Sequence, residues 1–240
     1  MPARSSATHA ASPPRFADNT DPVEILDWVT RACPDAVLAT ALGPQSIAIL
    51  ELLHQLDRRV PVVFLDTHLH FPETYALRIR LQHRYKRTIQ AIQPAQSLQQ
   101  QQRDHGPELW RTHPDRCCAL RKVAPLAATL AGRSAWITGL RRDASTTRAR
   151  TRAVEWDATH ALWKVNPLVA WTRPQVFAFL QAHEVPVNPL LSRGYTSVGC
   201  APCTRPNPTG TDERAGRWAD REKTECGIHH LYSETTEVAR

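Results

Sequence analysis

Short apolar runs that alternate with amphipathic segments constrain the fold of this chain more strongly than any other sequence feature. The apolar runs predict buried strands at residues 36–40, 60–65, 88–92, 134–138 and 162–165. The amphipathic segments predict helices at about residues 21–31, 47–56, 72–85, 116–130 and 173–183. Strands and helices that alternate at this spacing form βαβ units, which build a twisted parallel sheet flanked by helices. We therefore predict an α/β fold.

Three turns follow predicted strands at their carboxyl ends. They are residues 40–46, 66–70 and 139–143. In open parallel sheets, ligands bind beyond the carboxyl ends of the strands. Binding residues are therefore expected in these turns.

The predicted α/β elements lie between two segments of different character. Residues 1–18 lack the apolar stretch of a secretory signal, and we expect a disordered leader there. From Leu191 onward Gly, Pro and charged residues dominate. We expect a single α/β domain over residues 19–210 and a loop-rich, mobile C-terminal tail over residues 211–240. No apolar run approaches the ~20 residues that span a bilayer, so we expect a cytoplasmic protein without membrane contact.

The net charge of +7 favours anionic partners, which include nucleic acid and small phosphorylated or sulfated molecules. A solubilising surface is the plainer explanation of the same charge. The basic residues are not spread evenly, however. They concentrate at Arg141-Arg142, at Arg148 to Arg152, and at Arg214 to Arg217.

Four of the six cysteines have the spacing of ligands. Cys200 and Cys203 form a Cys-x-x-Cys pair, which zinc sites, iron–sulfur clusters and redox dithiols all use. Cys117 and Cys118 are adjacent, so their side chains point in different directions and suit a single tetrahedral zinc poorly. A cubane cluster offers separate irons that two adjacent sulfurs can reach. The pattern favours a four-cysteine iron–sulfur cluster, with zinc, or two buried cysteines and a separate dithiol, as alternatives.

The remaining two cysteines differ from this set. Cys226 has Lys223, His229 and His230 nearby, and such positive or protonatable neighbours favour a nucleophilic thiolate. A spare thiol in a frayed tail is an equally good interpretation of these residues alone. Cys33 follows an amphipathic helix and is expected to be a small core residue.

Several separate segments give this chain a resemblance to a known family. They are Phe64-Leu-Asp-Thr67 with Phe71-Pro-Glu-Thr-Tyr75, Cys117-Cys118-x3-Lys122, Ile137-Thr-Gly-Leu-Arg-Arg-Asp143, Val165-Asn-Pro-Leu168, Gly199-Cys-Ala-Pro-Cys-Thr-Arg205, Asp212-Glu-Arg-Ala-Gly-Arg-Trp218 and Glu225-Cys-Gly-Ile-His229. In this order they resemble the assimilatory adenylyl-sulfate (APS) reductases, close relatives of the phosphoadenylyl-sulfate (PAPS) reductases. The resemblance covers most of the chain, from about Ala36 to His229.

The resemblance implies an oxidoreductase of sulfate assimilation and cysteine biosynthesis. Cys226 would attack the sulfate sulfur of APS and expel AMP, which leaves a Cys226 S-sulfonate. A thioredoxin would then attack this adduct and release sulfite. A [4Fe-4S] cluster that does not shuttle electrons would be held by Cys117, Cys118, Cys200 and Cys203. Because only a short segment follows Cys226, we expect no fused thioredoxin-like domain and a tail that swings out to meet an external thioredoxin.

The substrate implied by the resemblance carries a phosphate and a sulfate, and cations would stabilise both groups and the departing AMP. The candidate cations are Lys122, Arg141, Arg142, Arg214 and Arg217. Lys122 is also expected to link cluster and substrate electrostatically. Asp66 and Gly139 lie at strand ends where the adenosine should bind, with turn formation as their alternative role. His229, in the same motif as Cys226, is assigned to substrate binding as well.

The turn after the first strand departs from the pattern of related folds. The family's fold resembles that of the ATP-pyrophosphatases, a group of adenine-nucleotide α-hydrolase-like proteins with a Ser-Gly-Gly-x-Asp-Ser phosphate loop. Here the turn reads Thr40-Ala-Leu-Gly-Pro-Gln-Ser46, and only Gly43 and Ser46 keep the character of that loop. We expect these two residues to contact substrate. The loss of the full motif argues against ATP cleavage.

Three other functions remain open at this point. An iron–sulfur tRNA thiolase shares the fold and cysteine pairs, but it would need the intact phosphate loop, so no nucleic-acid partner is expected. A zinc-binding interaction module would contain zinc and no iron. A PAPS reductase that releases adenosine 3′,5′-bisphosphate is the nearest alternative, because Arg148, Arg150 and Arg152 could bind the extra 3′-phosphate. A homo-oligomer is allowed by the sequence.

Overall fold

A six-stranded sheet lies at the centre of the computed structural model, which describes residues 13–207, 212–219 and 221–229. In chain order the strands are β1 (Val37–Thr40), β2 (Val62–Leu65), β3 (Ile89–Ile92), β4 (Ala135–Ile137), β5 (Val154–Asp157) and β6 (Leu162–Val165). Across the sheet their order is β3-β2-β1-β4-β6-β5. Every neighbouring pair is parallel except β5 and β6. The predicted α/β architecture is confirmed.

Helices connect the strands and pack on both faces of the sheet. They are α1 (Pro22–Ala32), α2 (Pro44–Gln55), α3 (Pro72–Tyr85), α4 (Leu98–His105), α5 (Leu109–Thr112), α6 (Pro114–Cys118), α7 (Ala124–Leu130) and α8 (Arg173–Ala182). The start of α1 matches the prediction, because the Asp21 side chain accepts a hydrogen bond from the Val23 amide and caps the helix. Helix α4, in a glutamine-rich segment, begins behind a capping box of Ser97 and Gln100.

The segment predicted as one helix over residues 116–130 is interrupted by a π-helical turn at Ala119–Val123. Pro125 explains the interruption, since proline has no amide hydrogen and its ring clashes with the carbonyl four residues earlier in a regular α-helix. The wider turn buries the side chains of both Arg121 and Lys122. Such π-helical turns are frequent at functional sites.

Strand β5 was missed by the sequence analysis and corrects the expectation of a purely parallel sheet. It pairs antiparallel with β6 at the edge of the sheet, where Glu155 faces Lys164 across the strands. Their side chains form a buried ion pair of 3.0 Å. β5 lies beside an arginine-rich stretch and lacks a continuous apolar run, so it has no clear strand signal of its own.

Two apolar clusters cover the two faces of the sheet. The larger includes α2, which is buried along most of its length, and Cys33, which is 1% exposed as expected for a core residue. The smaller contains Trp136 of β4, residues of α7 and, at its margin, Ile228. The C-terminal segment therefore contributes to the packing of the sheet.

Parts of the predicted terminal segments lie outside the described residues. They are residues 1–12 of the expected leader and residues 208–211, 220 and 230–240 around the expected tail, which include His230. Phe16, within the predicted leader, packs edge-on against Trp28. Over the described ranges, no helix has the length and apolar character to cross a membrane.

Candidate active site

A cavity of about 170 Å³ opens at the carboxyl ends of the central strands. Its walls include the turn after β1, residues 40–46, and the turn after β4, residues 138–140. From β1 the chain moves outward to β2 and β3, and it then returns to place β4 on the other side of β1. Ligands bind at such a switch point in open α/β sheets. Residues from all three turns selected from the sequence, 40–46, 66–70 and 139–143, therefore line the cavity.

The amino end of α2 forms one wall of this cavity. Gly43 precedes the helix, and the Ser46 hydroxyl lies 2.5 Å from the Thr40 hydroxyl and donates to the Gly43 carbonyl at 3.0 Å. The first amides of a helix have no partner within it and favour anions. Gly43 and Ser46 thus lie where an anionic group can meet these amides.

Gly139 lets the turn after β4 approach α2 closely. A Cβ atom at this position would lie 3.1 Å from the Ser46 amide nitrogen and 3.0 Å from the Gln45 Cβ atom. A side chain would push the helix end away from the cavity. Gly139 lines the cavity, and its close packing gives a structural reason for glycine, while its contact with adenosine stays a prediction.

Arg217 lies in the cavity wall with its guanidinium flat against Gly199. A Cβ atom at Gly199 would be 2.3 Å from the Arg217 guanidinium carbon. Arg217 also stacks on Trp218, 4.6 Å from the ring centroid, and donates from Nε to the Cys203 carbonyl at 3.4 Å. Its Nη2 atom is buried and has no hydrogen-bond partner among the described residues. A buried cationic donor without a partner is costly, and an anion in the cavity would satisfy it.

Arg214 and Arg148 line the same cavity and share Glu225 as a counter-ion. Arg148 donates from Nε and Nη2 to the two carboxylate oxygens, each at 2.9 Å, and Arg214 Nη2 donates at 3.1 Å. Burial, followed by the nearby charge of Arg148, lowers the pKa of Arg214 to about 10. The sequence indicated Arg148 as part of a basic cluster and as a candidate ligand of a 3′-phosphate, but not its contact with Glu225.

Three predicted substrate-binding residues lie outside the cavity wall. Arg141 is fully buried and forms ion pairs with Asp143 at 2.8 Å and Glu213 at 2.7 Å. Arg142 donates to the Thr151 carbonyl and to Asp18. Their assignment to substrate stays a prediction.

Asp66, the third of these residues, is buried at the end of β2. Its carboxylate accepts hydrogen bonds from the Tyr75 hydroxyl at 2.8 Å and the His68 amide at 3.0 Å. Burial opposes ionisation of Asp66, but these hydrogen bonds outweigh it and lower the pKa of the carboxyl group. The described contacts of Asp66 are those of a turn-forming residue.

The four cysteines selected as ligands line one small, buried pocket beside the cavity. They are Cys117, Cys118, Cys200 and Cys203. All six cysteines of the chain lie within the described ranges and are free thiols. Arg121 forms part of the same wall and donates from Nε to the Thr67 carbonyl at 2.7 Å. The fold therefore brings together two pairs that are far apart in sequence.

The thiols of this pocket resist ionisation unless positive charge is near. Burial and the charges of neighbouring cysteines raise the pKa of Cys117 to about 12. Burial likewise raises that of Cys118 to about 11. Burial opposes ionisation of Cys200 too, but Lys122, a hydrogen bond with the Thr67 hydroxyl and Arg217 outweigh it and lower the Cys200 pKa. Four such thiols suit a positively charged metal centre, which stabilises thiolates.

The arrangement differs from that of a mononuclear metal site. Within residues 13–207, 212–219 and 221–229, no three His, Cys, Asp or Glu residues are grouped so that they could hold a single metal ion. A tetrahedral zinc needs four ligands that converge on one point. A four-cysteine iron–sulfur cluster is larger than a single ion. The four cysteines of this pocket are the ligand set that a [4Fe-4S] cluster requires.

Lys122 lines both the cavity and the cysteine pocket. Burial opposes its charge, but the negative charges of Cys200 and Cys226 outweigh burial and raise the pKa of Lys122. The ammonium group therefore lies in the electrostatic field of both thiols. The expected role of Lys122 as an electrostatic link between cluster and substrate stays a prediction.

Cys226 forms part of the cavity wall and is half-buried. Gly227 follows it with a φ of +81°, a backbone conformation that residues with side chains rarely adopt. Lys223 forms an ion pair with Asp115, which holds this segment near α6. The described part of the tail thus contributes Cys226 to the cavity wall.

Some residues of the site were not predicted from the sequence, because only folding brings them to the cavity. Trp136 lines the cavity from the second face of the sheet. His70 lines it too, and burial lowers its pKa to about 4, so its ring is neutral near pH 7. Its Nε2 atom lies 2.8 Å from the Leu65 carbonyl. The only local signal for His70 was its place in the turn after the second strand.

Comparisons with known proteins agree with this geometry. Residues 35–206 match the family model described as the phosphoadenosine phosphosulfate reductase domain. The adenosine 5'-phosphosulfate reductase 2 of Bacillus subtilis (strain 168) is 42% identical over 211 residues, which cover 87% of this chain and 89% of the relative. A phosphoadenosine 5'-phosphosulfate reductase of Gloeobacter violaceus is 43% identical over 212 residues, which cover 87% of this chain and 88% of the relative.

A solved structure supports the same relationship. The phosphoadenylyl-sulfate (PAPS) reductase from Candida auris, determined as a phosphate complex, superposes with a TM-score of 0.70 at 30% sequence identity. The superposition covers 78% of this chain and 91% of that chain.

Proposed function

The chain belongs to the phosphoadenosine phosphosulfate reductase domain family, and on that premise we propose that it reduces APS to sulfite and AMP with a thioredoxin as electron donor. The observation that carries the proposal is the position of Cys226 in the wall of a cavity that is also lined by three arginines and Lys122. A nucleophilic thiol beside clustered cations suits an electrophile that carries two anionic groups. The reaction belongs to sulfate assimilation.

In the first step, the Cys226 thiolate attacks the sulfur of the sulfate group. A bond forms between the two sulfur atoms, and the bond between sulfur and the bridging oxygen breaks, so that AMP leaves with both bonding electrons. The buried Arg217 Nη2 atom, which lacks a partner among the described residues, would donate to an oxygen of the transferred or leaving group. Lys122 would add a second positive charge to the same region.

In the second step, a thiolate of reduced thioredoxin attacks the cysteine sulfur of the S-sulfonate. The S–S bond breaks, sulfite leaves with the bonding electrons, and a mixed disulfide forms between thioredoxin and Cys226. The second thioredoxin thiol resolves this disulfide and returns Cys226 to its reduced form. Thioredoxin is thus oxidised by two electrons, and the sulfate sulfur is reduced by two.

We propose that Cys117, Cys118, Cys200 and Cys203 hold a [4Fe-4S] cluster. Their shared buried pocket supports this assignment. When bound, the cluster supplies a fixed centre of charge beside the substrate pocket and no route for electrons. Lys122, in the wall of both pockets, would bind substrate oxyanions and would also interact electrostatically with the cysteine ligands.

PAPS is the second candidate substrate, because one relative of similar identity carries the name phosphoadenosine 5'-phosphosulfate reductase. Steady-state kinetics with APS and PAPS, with reduced thioredoxin as donor, decides between the two nucleotides. We expect a higher kcat/KM for APS. A much higher kcat/KM for PAPS would reverse the assignment, and absence of sulfite from both would refute the proposed activity.

Metal analysis of the anaerobically purified protein tests the cluster separately. We expect about four irons and four acid-labile sulfides per chain, as four-cysteine cubane ligation requires. Zinc without sulfide would favour a structural metal site. Binding to tRNA that weakens steeply with salt would favour the thiolase alternative.

A further inference from the structure

Glu225, the residue before the nucleophilic thiol, holds the tail against the body of the domain. Its two carboxylate oxygens accept from Arg148 Nε and Nη2, each at 2.9 Å, and one of them also accepts from Arg214 Nη2 at 3.1 Å. We call these three residues the Glu225 clasp. Paired hydrogen bonds between a guanidinium and a carboxylate are strong and directional.

The clasp is well shielded from water and is reinforced by the backbone. The side chains of Arg148, Arg214 and Glu225 are 11%, 15% and 17% exposed. Arg214 donates from Nη2 to the Thr224 carbonyl at 2.8 Å. Partly buried ion pairs are weakened less by solvent than exposed ones. The contact therefore fixes two consecutive residues immediately before Cys226.

The clasp lies within the site itself. Arg148, Arg214, Glu225 and Cys226 all line the 170 Å³ cavity. The segment that carries the thiol is thus part of the cavity wall when Glu225 is paired with the two arginines.

We propose that Glu225 is a positioning residue, whose carboxylate docks the nucleophilic segment through Arg148 and Arg214 and so sets how often Cys226 lies against the cavity. The inference rests on the proposed function for its kinetic consequences, but the docking itself does not depend on substrate identity. Glu225 touches no reacting atom; it acts through the two arginines. Its negative charge also balances two cations that would otherwise be free to bind anions.

Loss of the Glu225 contact is expected to slow the reaction of Cys226 without weakening substrate binding. Glu225→Gln should slow single-turnover formation of the S-sulfonate about tenfold, because loss of a charge-assisted contact destabilises the docked state. The dissociation constant of APS should not rise, since the arginines lose an internal competitor. A variant that had merely disturbed the fold would bind APS more weakly.

Alkylation of Cys226 tests the docking without substrate. The holoenzyme is treated anaerobically with iodoacetamide, and modification of the Cys226 peptide is followed by mass spectrometry. Glu225→Gln should raise the alkylation rate about tenfold. Added salt should raise the rate in the wild type more than in the variant, because ion pairs are screened by salt.

Glu222→Gln is the matched control, since Glu222 lies in the same segment and is exposed. It should alkylate at the wild-type rate. Equal rates for wild type and Glu225→Gln, or equal increases in both variants, would overturn the proposal. If Glu225→Gln folds poorly, Glu225→Asp keeps the charge but shortens the reach, and a smaller increase in alkylation is then required. Because these measurements need no turnover, a failed activity assay would refute the function and leave the clasp standing.

Discussion

The His229 imidazole stacks on the Trp136 indole, with ring centroids 5.1 Å apart and planes only 8° from parallel. Trp136 belongs to β4 and is 1% exposed, so the last described residue of the tail packs on the sheet itself. Together with Glu225, this contact anchors the chain on both sides of Cys226. Cys226 therefore lies between two contacts that fix the tail to the rest of the domain.

His229→Ala should weaken this second anchor. An aromatic pair contributes about 0.5–1.5 kcal/mol beyond the area that it buries, so S-sulfonate formation should slow about two- to tenfold. Rapid-quench measurement of Cys226 modification by APS gives this rate. His83→Ala, on the exposed side of α3, is the control and should react normally. An unchanged rate in His229→Ala would mean that the stacking does not contribute to docking.

Cys226→Ser should abolish turnover while the iron and sulfide content stays at the wild-type level. Serine lacks a nucleophile that can form the S-sulfonate at neutral pH, and Cys226 is not in the wall of the four-cysteine pocket. Sulfite release and the visible absorption of the cluster are measured on the same sample. Cys33→Ala, a change at a core residue that does not line the cavity, should keep turnover. Sulfite production at the normal rate by Cys226→Ser would disprove the assigned nucleophile.

Lys122→Gln should lower kcat/KM for APS about 10²–10³-fold, the range for loss of a well-placed electrostatic donor. The buried ammonium lies in the walls of both pockets, and glutamine keeps most of its volume without its charge. Iron content should fall little, because the four cysteine ligands remain. Kinetics and metal analysis of one preparation separate the two effects. A variant with full kcat/KM would show that the charge of Lys122 is not used in the reaction.

Tyr85→Phe tests the stability of the scaffold. The Tyr85 hydroxyl donates at 2.8 Å to the carboxylate of Glu51, a residue that is 4% exposed. Removal of a donor to a buried charge should lower the free energy of unfolding by about 1–3 kcal/mol. Tyr195→Phe, whose ring packs on Phe71, should cost less. Urea denaturation at pH 8 gives both values, and equal stability of the two variants would contradict the expectation.

The same tyrosine should produce an alkaline loss of stability. Burial and then the hydrogen bond to Glu51 raise the pKa of Tyr85 above its ordinary value of 10. Above about pH 10 the unfolded chain releases a proton that the native protein retains, so stability falls as pH rises. Between pH 8 and pH 10.5, wild type should therefore lose more stability than Tyr85→Phe. A parallel decline in both proteins would refute this role of Tyr85.

The elements that could be predicted from sequence are those with a local cause. Asp21 caps α1, and a short, mainly apolar run forms the buried strand β1. β5 could not be predicted in the same way, because its pairing with β6 depends on an edge that exists only after the sheet has formed. The π-helical turn before Pro125 was missed because a helical pattern does not reveal whether a proline will end, bend or widen the helix.

The residues of the site also differ in whether a local sequence signal was enough to predict them. Spacing was enough to select the four cysteines, and the fold then placed them in one pocket. Charge was not enough to rank the arginines, because a guanidinium in a turn can point to the cavity or to a carboxylate of the protein. Arg141 lies between Asp143 and Glu213, whereas Arg217 lines the cavity. The clasp was missed since it joins Glu225 to an arginine far away in sequence.

A comparison of Arg217→Gln with Arg142→Gln tests this division of the arginines. Arg217 lines the cavity with a buried donor that has no described partner, while Arg142 binds the Thr151 carbonyl and Asp18. Hydrogen bonds to charged groups contribute about 1.5–3 kcal/mol, so Arg217→Gln should weaken AMP binding about 10- to 100-fold. Arg142→Gln should change it by less than about twofold, within the usual range for a surface substitution. Isothermal titration calorimetry gives both dissociation constants. Equal losses of affinity would mean that Arg142 contacts the nucleotide, as its sequence position suggested. The turn after β4 would then have to adopt a different conformation when the nucleotide binds.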